Sequence, residues 1–69
     1  MNTYRVKVII YPKERTYTTE EYREAVKKAT VHYCKGLKEL TAFCGGRLHR
    51  ERNGYAGING RVEYVAERI

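Results

Sequence analysis

Sixty-nine residues make one domain with a small core and leave no room for a large catalytic cleft. Fourteen Lys and Arg against eight Asp and Glu give a formal charge of +6, which favours an anionic partner. Two cysteines fall short of a disulfide framework, and neither a signal sequence nor a long apolar run is present, so a cytoplasmic protein with reduced thiols and no membrane partner is expected.

Thr3 to Tyr11 reads as a strand, with Tyr4, Val6, Val8 and Ile10 alternating with Arg5, Lys7, Ile9 and Tyr11. Pro12, which has no N–H for a ladder, ends it, and Lys13-Glu14-Arg15 follows as a polar loop. Thr18 and Glu21 have the spacing of a capping box, and Tyr17 and Tyr22 flank it as a hydrophobic staple. From there Tyr22, Ala25, Val26, Ala29, Tyr33, Leu37 and Leu40 recur at helical spacing and predict one helix from Thr19 to Leu40. Gly36 lies on the edge of that face. It weakens the helix by ~1 kcal/mol relative to alanine, or else ends it. The outward face carries Glu20, Glu24, Lys27, Val31, Lys35 and Lys38, with Glu24 and Lys28 spaced for an ion pair.

Thr41 to Arg52 is expected to hold a second strand, with Gly45-Gly46 as a bulge or bend. Asn53-Gly54 and Asn59-Gly60 are both hairpin signals, leaving Tyr55 to Ile58 as a short strand or part of a longer loop. Arg61 to Ile69 reads as the last strand, with Val62, Tyr64 and Ala66 on one side. The expected architecture is a single α+β domain over 1–69 in β-α-β-β order. Three or four antiparallel strands carry one long helix packed on one face. That helix would bury Tyr4, Val6, Val8 and Ile10 under Ala25, Val26, Ala29, Tyr33 and Leu37. The open face would hold Arg5, Lys7, Ile9 and Tyr11 beside Arg47, His49, Glu63, Val65 and Glu67.

Three arginines and a histidine fall within residues 47–52. With the first strand and nearby tyrosines they define the candidate binding set: Arg5, Lys7, Tyr11, Arg47, His49, Arg50, Arg52 and Tyr55. Arginine pairs with phosphate through a planar fork, and tyrosine offers a platform to unpaired bases. The same two residue types anchor protein interfaces. Val31 among Lys27, Lys28 and Lys35 marks a candidate second patch. Charged edge strands also serve simply to block aggregation.

His32, Cys34, Cys44 and His49 are a nominal zinc set, but their spacing matches no zinc site, and on a helix His32 and Cys34 would diverge. No metal or other cofactor is expected. The chain has no serine and no aspartate, so the usual hydroxyl–imidazole–carboxylate arrangement is absent, and neither phosphate-loop motif occurs. A non-enzymatic binder of nucleic acid or of a nucleoprotein complex is the expectation. A strand, a long capped helix and a hairpin within seventy residues also resemble several phage-encoded inhibitors, including some anti-CRISPR proteins. The resemblance lies in size, element order and charge, and it transfers no site residue. It implies an inhibitor that blocks a larger nucleic-acid-processing complex by protein–protein contact.

Overall fold

β-Branched and aromatic side chains build the first strand, and in the computed structural model, which describes residues 2–69, that strand is an interior strand of the sheet. The elements are β1 (Thr3–Ile10), α1 (Thr19–Lys27), β2 (Thr30–Lys35), α2 (Gly36–Cys44), β3 (His49–Glu51), β4 (Gly54–Asn59) and β5 (Val62–Arg68). The strands form one five-stranded sheet in the order β2-β1-β5-β4-β3, with every neighbouring pair antiparallel. The fold is α+β, as expected. Five strands replace the expected three or four, two short helices replace one long one, and the element order is longer than β-α-β-β by a helix and two strands.

The start of α1 is as expected. The Thr18 hydroxyl accepts from the Glu21 N–H at 3.1 Å, and the Glu21 carboxylate accepts from the Thr18 N–H at 2.8 Å. That backbone N–H is the main reason the Glu21 carboxyl is held below its usual range. Tyr17 and Tyr22 stack with centroids 6.4 Å apart, and Glu24 pairs with Lys28 at 3.3 Å. The helix then ends far short of Leu40. Thr30 to Cys34 are all poor helix formers, with Thr30, Val31 and Tyr33 good strand formers, and pairing with the outer edge of β1 satisfies the backbone groups on their inner side. The apolar spacing that suggested one helix is a chance overlay of strand alternation on helical period.

α2 begins at Gly36, whose φ of 79° few other residues tolerate. Gly45 closes it in the left-handed region, and the Gly46 N–H bonds to the Thr41 carbonyl at 2.8 Å. Gly45-Gly46 is therefore a helix stop rather than a strand bulge, and the expected strand from Thr41 shrinks to His49–Glu51. Both hairpins form, but each turn is displaced by one residue from its Asn-Gly signal: Arg52-Asn53 joins β3 to β4 and Gly60-Arg61 joins β4 to β5, while Gly54 and Asn59 are strand residues. The Tyr55 to Ile58 segment is strand.

The two helices cover opposite sheet faces. On one, Leu40 and Cys44 of α2 pack on Tyr4, Val6, Cys34 and Ala66. On the other, Ala25 of α1, with Val26 and Ala29 beside it, packs on Ile9 and Tyr11. Two expectations fall here. The helix that carries Ala25 lies on the face opposite Tyr4 and Val6, while Tyr33, Leu37 and Ile10 are exposed instead of buried. α2 and residues 45–48 lead from the β2 edge to the β3 edge, and the Arg47 carbonyl lies 2.1 Å from where a Cβ on Gly57 would sit. Any side chain at 57 would push this crossover off the sheet.

Burial pushes the Cys44 thiol up to about 11, with Cys34 adding to it. Burial, followed by the bond its hydroxyl donates to Glu63, raises Tyr11 well above the usual phenol range. Both groups keep their protons longer folded than unfolded. Stability is therefore fully present below pH 9 and falls as pH rises toward 11. Urea unfolding at pH 8 and pH 11 should show a loss on the order of 2 kcal/mol from Cys44, which a Cys44→Ala variant should not show.

Candidate anion-binding cleft

The two-residue turns of the β3-β4-β5 meander fix which side chains meet. Glu51 faces Gly54 and Asn59 faces Val62, so Arg50 falls beside Tyr55, Tyr55 beside Ala66, and Arg68 beside Tyr4. Arg50, Tyr55, Tyr4 and Arg68 consequently share the α2 face at one end of the sheet. There they line a cleft of about 130 Å³ with Arg52, and no carboxylate lines it. The Arg68 N–H bonds to the Asn53 carbonyl at 2.8 Å and ties the β3-β4 turn to β5. Gly54 makes that approach possible, because a Cβ there would lie 1.9 Å from the Ala66 carbonyl oxygen.

The walls are firm and the cations are free. Tyr4 is buried and meets Tyr55 edge-on, with centroids 5.9 Å apart. The Arg50 guanidinium lies 6.0 Å from the Tyr55 centroid. Arg50, Arg52 and Arg68 are exposed and have no ion-pair partner among the described residues. Three forked donors with no internal acid are suited to a phosphate or carboxylate. A cleft of this volume is below the range for whole small-molecule ligands and has room for a single group rather than a nucleoside.

Of the sequence-predicted residues, Arg50, Arg52 and Tyr55 come together here. Arg5, Lys7 and His49 point to the opposite face, where Glu67 holds Arg5 at 3.0 Å and Glu51 holds His49 at 2.9 Å. Arg47 is exposed on the crossover before β3. Tyr11 lies away from this cleft, buried under α1 and stacked on Tyr17 at 4.3 Å. Tyr55 is half-buried beneath Arg50, so it supports a cation rather than offering a bare platform. Lys27 and Lys28 sit at the end of α1, whereas Val31 and Lys35 lie on β2, not on a helix face. Alternation along β2 puts Val31, Tyr33 and Lys35 on the face of Arg5 and Lys7. Sequence reasoning missed Arg68, because turns centred on Asn53-Gly54 and Asn59-Gly60 would set Tyr55 opposite Tyr64, whereas the observed turns set it opposite Ala66 and bring Arg68 to the cleft.

His32 and Cys34 share a face, since they lie on a strand. That corrects the argument from helix geometry against a metal. No group of three or more possible metal ligands forms among the described residues, and no helix there is long and apolar enough to cross a membrane. No family model, curated protein or solved structure matches this chain.

Proposed function

We propose that the protein is a non-catalytic binder of nucleic acid or of a nucleoprotein complex, and that its arginine cleft grips backbone phosphate. The observation that carries this reading is the gathering of Arg50 and Arg52 from the β3-β4 hairpin with Arg68 from β5 around one acid-free cleft. Phosphate contacts position a partner without reading its sequence, so affinity should be similar for strands of different sequence. Fluorescence anisotropy with labelled single- and double-stranded oligonucleotides across a salt series tests this. Three phosphate contacts should give a slope of about −2 in log affinity against log salt on a single strand. A flat response overturns the reading.

A second reading is an inhibitor that blocks a larger nucleic-acid-processing complex by protein contact, as the resemblance to phage inhibitors implied. One observation favours it. Tyr33 and Val31 are 62% and 50% exposed on β2, the edge strand, whose outer edge is unpaired. An exposed apolar edge strand is a template for a partner chain. Affinity purification with and without nuclease separates the two readings, because a partner retained after nuclease treatment is held by protein contact.

A further inference from the structure

A second cavity lies at the far end of the molecule, between the loop after β1 and the β4-β5 turn. It encloses about 360 Å³ and is lined by Tyr11, Tyr17, Ile58 and the loop residues Lys13 to Arg15. This is within the range of cavities that hold a whole small ligand. Its aromatic part is rigid. Tyr11 is buried, with its hydroxyl bound to Glu63, and Tyr17 lies on it almost parallel, 3° between planes. Tyr22 stacks on the same group at 6.0 Å from Tyr11. Ile58 contributes an apolar side chain that is 60% exposed, with no core to join.

Charge is confined to the loop. Lys13, Glu14 and Arg15 are exposed and form no ion pair among the described residues, although the Lys13 charge does reach Glu21. Arg15 has a φ of 67°, the one non-glycine residue in the left-handed region among those described. Such strain persists where the surrounding structure over-determines it, and it gathers at binding sites. Here it occurs in the loop that brings cations to an aromatic and aliphatic lining. A flat ring carrying a negative group satisfies all of these surfaces: the ring against Tyr17 and Ile58, the anion at Lys13 and Arg15, and an amino or hydroxyl group at Glu14.

We infer that this cavity is a nucleotide site, taking a nucleobase between Tyr17 and Ile58 and its phosphate at Lys13 and Arg15. The inference does not rest on the arginine cleft, which is formed by other residues. The same chemistry can come from a free nucleotide or from one base of a bound strand. Amide chemical-shift mapping with adenosine monophosphate, adenosine and oligothymidylate tests it. Shifts at residues 11–17 and 57–61 with adenosine monophosphate identify a free nucleotide, and shifts there with the oligonucleotide alone identify a base of a strand. Adenosine should bind roughly tenfold more weakly than its monophosphate, the loss of about one charged contact. Arg15→Gly keeps the backbone conformation and should erase much of that difference, while Tyr17→Leu, checked for an unchanged melting temperature, should weaken both ligands. Absence of shifts at these residues with all three probes overturns the inference, as does unchanged binding by both variants. The Arg50/Arg52/Arg68 triple variant should retain the shifts with adenosine monophosphate, so failure of one site does not read as failure of the other.

Discussion

Replacing Arg50, Arg52 and Arg68 together with alanine is expected to lower affinity for single-stranded nucleic acid by roughly 100-fold, taking about 1 kcal/mol for each exposed charged contact. It should also remove about 2 units from the salt slope, since three counterion-displacing groups are gone. The three side chains are exposed and pair with no acid among the described residues, so the variant should fold. A control triple, Lys27, Lys28 and Lys38 to alanine, removes the same formal charge away from the cleft. If net charge alone drives binding, the two triples will weaken it equally. If the cleft drives it, the control will lose far less. Equal losses would refute the cleft as the site while leaving an electrostatic partner in place.

Leu40→Ala should produce the largest loss of stability of any single core truncation in α2. Leu40, Val6 and Cys44 are the largest fully buried side chains, and Leu40 joins α2 to the cluster under β1 and β5. Deleting a buried leucine costs about 2–5 kcal/mol, depending on how far the site collapses. A domain of this size has a total stability of roughly 3–10 kcal/mol. The melting temperature should therefore fall by roughly 10–30 °C, or the chain should fail to fold. Leu37→Ala, one turn away and exposed, should have little effect. Thermal unfolding followed by circular dichroism distinguishes the pair, and a comparable loss in both would mean that α2 packs through a different face.

Local chemistry was legible in the sequence where it acts over a few residues. The Thr18-x-x-Glu21 box, the tyrosine staple and the Glu24–Lys28 pair are all present, and both hairpins form with their turns one residue away from the Asn-Gly signals. Alternation also placed Val62, Tyr64 and Ala66 on one side of the last strand. What could not be read was the competition between elements. Tyr33 and Leu37 satisfy a helical period, yet the unsatisfied edge of β1 gives Thr30 to Lys35 a better use for their backbone groups. That tertiary choice moved Tyr33 from an expected core to an open surface and placed the helices on opposite faces. The candidate site was half legible. The cluster of arginines drew attention to Arg50 and Arg52, but alternation alone could not bring Arg68 to them. It could not show that Glu67 and Glu51 pair with Arg5 and His49 either.

The arginine cleft depends on chain closure in a way that a local motif does not. Its wall comes from Tyr4, its middle from the β3-β4 turn, and its last cation from Arg68. β5 slots between β1 and β4, so these parts meet only when segments about sixty residues apart have paired. Closing such a long loop is slow compared with forming the turns. A fragment that lacks β5 has Arg50 and Arg52 but no cleft. The cleft thus exists only where β1 and β5 have paired, and a phosphate-bearing partner bound in it would favour the closed sheet by mass action.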